Sequence, residues 1–297
     1  MAIYDVNGNQ LSTVYDVSGI QLNRAYDVAG NLIYQRLNPV SLKVMTYNVG
    51  GWYTGVGTSV PSNYDQLYYD LQNGIIQQNS PDILCIEEYR DQFTTGGRTA
   101  LSLLSQYFPY IRTNGGDTNY WGRAVCSKYP IQSYTEHFYA NESQRYYGTA
   151  VINVDGHILN VIVTHLSTDQ AKREVQAGEL FRYCQTLTNV IACGDYNTTY
   201  ARTTDPDDEW SAEYYSCYKQ FVDAGYHLAN CAEENGWFDT YWQNEKKVWR
   251  SLDNIITSSN IVIDEVYTDN TKKTDPITDD PSWKIDHVPI VAELTVI

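Results

Sequence analysis

The sequence predicts an α/β domain built on mixed sheets from about residue 40 onward, with a small β-rich module ahead of it. Three observations carry this. Strand-length apolar runs alternate with longer helical patterns, which is how layered α/β domains read. Some successive strands are close enough to pair locally while others are separated by crossover helices, which disfavours a simple doubly wound sheet. Several apolar runs also stop abruptly on Asp, Asn, Glu or His, where a buried strand should simply turn.

Residues 3–36 hold an internal repeat with a period of eleven residues. Tyr4-Asp5-Val6-Asn7-Gly8 recurs as Tyr15-Asp16-Val17-Ser18-Gly19 and as Tyr26-Asp27-Val28-Ala29-Gly30. Each unit reads as a short strand, a turn at x-Gly and another short strand. So few residues cannot bury a core alone, so the module is expected to stack on neighbours, in self-association or attachment to a larger assembly. The bland alternative is a β-appendage with no role beyond stability. Asn38-Pro39 marks the boundary, giving a repeat module over 1–38 and a larger domain over 39–297.

In the larger domain, strands are expected at Leu42–Asn48, Ile83–Tyr89, Arg123–Lys128, Thr149–Val154, Ile158–Leu166, Asn189–Gly194, Asn254–Thr257, Ile261–Val266 and Ile290–Thr295. Helices are expected at Tyr64–Gln78, Thr99–Tyr107, Gln170–Leu187 and Asp208–Ala224. The last follows Asp205-Pro206-Asp207-Asp208-Glu209, whose acidic first turn complements the helix dipole. The loops between are rich in glycine and tyrosine. The chain has 27 tyrosines, too many for the core alone, and Tyr53, Tyr120, Tyr146 and Tyr147 are expected in loops that could flank a substrate groove.

The net charge of −16 disfavours tight, charge-driven binding to nucleic acid or anionic lipid. It leaves room for an enzyme that recruits a divalent cation to offset its own carboxylates. No apolar run is long enough to span a bilayer, so membrane insertion is not expected. No basic and apolar leader opens the sequence. None of the six cysteines forms a C-x-x-C pair, which argues against a zinc site and favours a reducing, cytoplasmic setting, with a Cys217–Cys231 disulfide left open.

Val190-Ile191-Ala192-Cys193-Gly194-Asp195-Tyr196-Asn197 organises the chain. An apolar run ends on glycine and then presents Asp195 and Asn197, two apart and so on one side of an extended backbone. Other strands end in the same manner. Val44-Met45-Thr46-Tyr47-Asn48 finishes on Asn48, Ile83–Ile86 runs into Glu87 and Glu88, and Val161-Ile162-Val163-Thr164 runs into His165. Asp253 opens the run Asn254–Ile256, and Asp286-His287 precedes the last strand. Taken singly, each has a bland explanation: a turn residue at Asn48, an ion pair at Glu88, a satisfied core histidine at His165, a loop cap at Asp286. Together, several carboxylates, asparagines and histidines at apolar strand ends are costly unless a metal and a substrate share the burden.

Thr46-Tyr47-Asn48, Pro81–Glu88, Thr164-His165-Leu166, Gly194–Asn197, Leu252–Ile256 and Asp286–Ile290 resemble, in order, the motifs of the endonuclease/exonuclease/phosphatase superfamily, the DNase I-like fold. The resemblance covers about residues 40–297 and leaves the repeat outside it. It implies a four-layer α/β sandwich of two mixed β-sheets flanked by helices, with the site at one end. It also implies Mg²⁺- or Mn²⁺-dependent cleavage of a phosphoester by in-line attack of water. By the same resemblance, Glu88 is the main metal ligand with Asn48 beside it, and Asp286 lies near the metal or a second cation. Asp195 orients the attacking water, and Asn197 holds a phosphate oxygen. His287 hydrogen-bonds the phosphoryl oxygen with Asp253 fixing its tautomer and charge, and His165 is a second phosphate-side donor. Glu87 stands where relatives often carry a neutral Gln. Arg173 reads as structural, while Arg123 and Tyr120 are expected on the substrate side.

The leading expectation is a DNase I-like nuclease acting on nucleic acid. The alternatives are a phosphatase or phosphodiesterase on a small-molecule or lipid-headgroup phosphate, and a non-catalytic scaffold with this fold. With every expected catalytic position occupied, the scaffold is disfavoured.

Overall fold

The computed structural model describes residues 24–26, 32–35, 37–50, 73–89, 94–95, 98–114, 122–142, 145–199, 216–231, 234–243, 248–269 and 287–297. The chain divides into two compact units, Met1–Val40 with Ile297, and Ser41–Val296. In the first, β1 (Arg24–Tyr26) pairs antiparallel with β2 (Leu32–Gln35), a hairpin in the third repeat unit. The first two units lie outside the described residues.

The second unit is built on two six-stranded sheets. The first contains β3 (Val40–Asn48), β4 (Ile83–Tyr89), β7 (Tyr110–Thr113), β8 (Gly122–Ser127), β17 (Ile261–Thr268) and β18 (Ile290–Val296), in the order β17-β18-β3-β4-β8-β7. The second contains β9 (Ile131–Phe138), β10 (Tyr146–Val154), β11 (His157–His165), β12 (Val190–Asp195), β13 (His227–Leu228) and β16 (Asp253–Thr257), in the order β13-β16-β12-β11-β10-β9. Two-stranded ribbons, β5 (Thr94–Thr95) with β6 (Arg98–Thr99) and β14 (Tyr241–Gln243) with β15 (Val248–Arg250), complete the strands among the described residues. Both six-stranded sheets are mixed, because β3–β4 and β11–β12 are parallel while β4–β8, β7–β8 and β17–β18 in the first sheet and β9–β10, β10–β11, β12–β16 and β13–β16 in the second are antiparallel.

The sheets face each other through β4, β8, β11 and β12. Helices cover both outer faces. Met45, Tyr47, Leu84 and Ile86 on the first sheet pack against Ile75 and Ile76 of α1 (described over 73–79) and Leu103 and Leu104 of α2 (Ala100–Leu104). Ile162, Val190 and Ala192 on the second pack against Ala177 and Leu180 of α3 (Gln170–Cys184) and Phe221 of α4 (Ser216–Asp223). Alternate residues of a strand point to opposite faces, so a sheet covered on both sides reads as a nearly continuous apolar run. This is the DNase I-like α/β sandwich, with its two mixed sheets and flanking helices.

Local chemistry sets the helix ends. Asp169 caps α3 by accepting from Lys172 N at 3.0 Å, and Thr99 and Ser102 form a reciprocal capping box at α2. The helix expected to end at Leu187 stops at Cys184, and the one expected over Thr99–Tyr107 is only Ala100–Leu104, its tail being turns. Of the helix expected at Asp208–Ala224, residues 208–215 lie outside the description. Tyr146 and Tyr147 open a strand and are buried, not in a loop. Cys217 and Cys231 are buried thiols, and the disulfide left open above is not formed between them.

Candidate active site

Strand pairing alone assembles much of the site. Parallel β11 and β12 set His165 opposite Asp195, and antiparallel β12 and β16 set Asp195 opposite Asp253. On the facing sheet, parallel β3 and β4 set Asn48 opposite Glu87, so that Glu88 follows at the strand end. There the β4–β8 register shifts between Glu87 and Tyr89, and Glu88 adopts φ 58°. A left-handed residue at a bulge re-aims its side chain, at a cost that is typically accepted at functional sites.

Asp195 Oδ2 is the meeting point. Asn48 Nδ2 donates to it at 3.1 Å, His165 Nε2 lies at 3.4 Å and His287 Nε2 at 3.6 Å. The same Asn48 amide donates to Glu88 Oε1 at 3.2 Å, and His165 Nδ1 is 3.8 Å from that oxygen. His287 Nδ1 lies 2.8 Å from Asp253 Oδ2. Asp195 Oδ1 accepts from Asn197 N at 2.8 Å, an Asx turn, while Asn197 Nδ2 donates to the Leu166 carbonyl at 2.9 Å. Thus Asn48, Glu88, His165, Asp195, Asp253 and His287 converge, with Asn197 on the rim. Asp286 and Tyr120 lie outside the described residues.

Gly194 is required by this geometry. Its φ is 155°, and a Cβ there would stand 2.1 Å from the Thr164 carbonyl oxygen. Only glycine lets β12 approach β11 this closely just before Asp195.

Arg123 is 2% exposed, and its described contacts run along the strand end. Its Nη2 donates to the His165 carbonyl at 3.1 Å and its Cζ lies 4.1 Å from the centre of the Tyr146 ring. Arg145 Nη1 donates to the same His165 carbonyl at 3.1 Å and to Leu166 O at 2.7 Å. Arg173 Nη1 donates to Ser167 O and Thr168 O, holding the loop that leaves β11. Three guanidiniums therefore fix the chain at and just beyond His165, consistent with a structural part for Arg173.

Sequence reasoning missed Arg145, whose one signal is a lone cation directly before an apolar strand in an acidic chain. It also missed Thr240, whose Oγ1 accepts from both Leu252 N and Asp253 N, and Tyr241, whose ring centre lies 5.0 Å from that of His287. Nothing in their spacing marks either residue.

Burial dominates the electrostatics. It pushes the Asp195 carboxyl up to about 6, with Asp253 adding to the shift and His287, the Asn197 N–H and the Asn48 amide opposing it. His165 is held well below its ordinary value by burial, then by Arg145, Arg123 and His287, so it is neutral near pH 7. Glu87 is fully buried, accepts from Thr46 Oγ1 at 2.9 Å, and is raised well above the carboxylate range by burial and then by Asp253 and Cys85.

The donor set fits a divalent cation. Ligand atoms of Asp195, Asp253 and His287 all lie within 4.8 Å of one another. Asp253 Oδ1 is buried with no hydrogen-bond donor among the described residues, and Glu88 and Asn48 add hard oxygens across the cleft. Converging carboxylates that disfavour one another's charge are what a bound cation relieves.

The sandwich of two mixed sheets thus gathers acids, asparagines and histidines where its central strands end. The chain belongs to the Endonuclease/Exonuclease/phosphatase family, whose sequence model matches residues 45–282. Members of this class are metal-dependent phosphoester hydrolases, and this chain is one. No curated protein sequence matches it significantly.

Solved structures share the fold at low identity. Truncated Caenorhabditis elegans TDP2 is 17% identical with a TM-score of 0.60, over 86% of this chain and 97% of that one. A variant of the 3′ phosphatase NExo from Neisseria, bound to a product DNA hairpin, is 17% identical with a TM-score of 0.60, over 84% and 98%. TDP2 from D. rerio, complexed with a single-strand DNA product, is 14% identical with a TM-score of 0.61, over 86% and 98%. Among the described residues, no helix is long and apolar enough to cross a membrane.

Proposed function

We propose that this protein is a nuclease that hydrolyses phosphodiester bonds by in-line attack of water, with Mg²⁺ or Mn²⁺ as its cofactor. The observation that carries the reading is the focus on Asp195 Oδ2, where Asn48, His165 and His287 nitrogens lie within 3.6 Å. A carboxylate so surrounded can hold a water in one orientation against a phosphorus centre. Glu88 and Asn48, with Asp286, hold the cation, which when bound offsets charge on the phosphate. His287, with Nδ1 toward Asp253, presents Nε2 to the phosphoryl oxygen and donates to it as the doubly protonated ring. His165 and Asn197 serve the phosphate side as further positioned donors. Arg123, through the His165 carbonyl, and Tyr120 shape the substrate side.

Nucleic acid is favoured over a small phosphate because two structural neighbours are captured with DNA products. The repeat over residues 3–36 is proposed as an assembly or attachment module. The deciding experiment compares metal-dependent turnover of plasmid and oligonucleotide DNA with that of p-nitrophenyl phosphate and inositol phosphates. Cleavage of DNA alone supports the nuclease. Release of phosphate from the monoesters, with DNA intact, replaces it with a phosphatase.

A further inference from the structure

The pairing register of the second sheet runs the site row out to its edge. Phe138 lies opposite Tyr146, and Tyr147 lies opposite Thr164, which brings Tyr146 alongside His165. His165 lies opposite Asp195, and Asp195 opposite Asp253. One row across five strands is therefore Phe138, Tyr146, His165, Asp195 and Asp253. Cross-strand partners share a face, so all five belong to the face that carries the site. Phe138 stands three strand spacings from Asp195, about 14 Å along the sheet.

Two properties set Phe138 apart. Its side of the row is solvent-facing: Phe138 is 61% exposed whereas Tyr146 is 3% exposed, and within this unit no other described aromatic residue is comparably open. It is also tied mechanically to the site. The Phe138 and Tyr146 rings are 5.4 Å apart at 46°, Tyr146 carries Arg123 on its face at 4.1 Å, and Arg123 holds the His165 carbonyl at 3.1 Å. An exposed phenyl ring at the end of a rigid stack is poised to receive another flat ring.

The geometry points to Phe138 as a stacking platform for an unpaired nucleobase that flanks the scissile phosphate, which makes single-stranded nucleic acid the substrate class. This rests on the nuclease reading above. The charge of the chain supports it. With 36 acidic against 20 basic residues, charge-driven binding along a long phosphate-tracking groove is disfavoured, which shifts the source of affinity toward stacking, which every base can supply. Bases within a duplex already stack on their neighbours, whereas unpaired bases are free to turn onto a protein ring. A single ring is far too small for a stable protein–protein interface.

The test pairs binding with turnover. Fluorescence anisotropy with Ca²⁺ in place of Mg²⁺ compares a labelled single-stranded oligonucleotide with its abasic analogue and with a duplex. Phe138→Ala is expected to weaken single-strand binding and raise KM roughly tenfold with kcat unchanged, and Phe138→Trp to restore both. Loss of the base at the contacted nucleotide should erase the difference between wild type and Phe138→Ala. Bis(p-nitrophenyl) phosphate, too short to reach the platform, should be hydrolysed equally by all three proteins.

Equal single-strand binding by Phe138→Ala, equal competition by the duplex, or a parallel loss with the short diester overturns the proposal. Its fate is separable from that of the nuclease reading. If wild type turns over no phosphodiester but Phe138→Ala still loses base-dependent binding, the platform stands and the nuclease falls.

Discussion

His287 Nδ1 lies 2.8 Å from Asp253 Oδ2, and both side chains are buried. A carboxylate at that distance holds a proton on Nδ1 and orients the ring, with Nε2 directed at the Asp195 side of the pocket, 3.6 Å from Oδ2. Asp253→Asn keeps the shape and removes the charge that fixes the ring. Its kcat is expected to fall by about 10²–10⁴, with the far-UV circular dichroism unchanged. A variant with near wild-type single-turnover rates would show that this pair is structural only.

The approach of Gly194 to Thr164 makes a second, purely structural prediction. Gly194→Ala drives a methyl group to 2.1 Å from a backbone oxygen in the middle of a paired sheet, where neither strand can yield without loss of register. Overpacking of this kind costs about 1–3 kcal/mol or more, and here the φ of 155° adds strain. Urea denaturation should show a lowered midpoint, and the surviving folded protein should have reduced activity because Asp195 moves with its neighbour.

This glycine also shows why so much of the molecule was readable from its sequence. The strands that carry the site are buried on both faces, so β3, β4, β11 and β12 read as nearly continuous apolar runs ending on a polar residue, and their limits fall within about two residues of those expected. Edge strands do not read this way. Ile131 is the only residue of β9 that is fully buried, and the rest of Gln132–Phe138 is half-buried or exposed, so its run of Gln, Ser, Thr, Glu and His carried no apolar signal. The same holds for β7, where no residue of Tyr110–Thr113 is fully buried and no apolar period marks the strand. Residues that act through backbone carbonyls, such as Arg145, have no sequence period at all. Contacts of that kind are made by the fold, between segments whose spacing in the chain carries no information.

Glu87 gives a pH-dependent prediction. Burial, with Asp253 and Asp195 adding charge repulsion, keeps its carboxyl protonated well above the ordinary range, while the Thr46 hydrogen bond opposes the shift only in part. The unfolded chain loses this proton above about pH 4.5, so the folded state then binds more protons and stability falls as pH rises. Glu87→Gln is neutral at every pH and can keep the contact with Thr46. It should match wild type near pH 4 and become progressively more stable than wild type toward pH 8, by about 1–3 kcal/mol. Urea titrations at a series of pH values measure this, and a difference that does not change with pH would mean that Glu87 is ionised in the fold.

Asp195 links protons to cation binding. In the metal-free protein its carboxyl is pushed up to about 6, first by burial and then by Asp253, so the folded state holds a proton that the unfolded chain releases near pH 4. Stability of the metal-free protein should therefore decline between about pH 4 and pH 6 from this group, the sign for a raised acid. A cation in the pocket favours the carboxylate, so binding at pH 5 must displace that proton. Apparent Mg²⁺ affinity should then weaken as pH falls below about 6, approaching tenfold per unit. Saturating Mg²⁺ should raise Tm, since a ligand at a hundred times its Kd adds about 2.7 kcal/mol. Isothermal titration calorimetry in buffers of different ionisation enthalpy counts the protons released. Asp195→Asn should release none and should bind with a flat pH profile between 5 and 7. If wild type and Asp195→Asn release the same number of protons at pH 5, the proton belongs to another group and Asp195 is already ionised when the cation arrives.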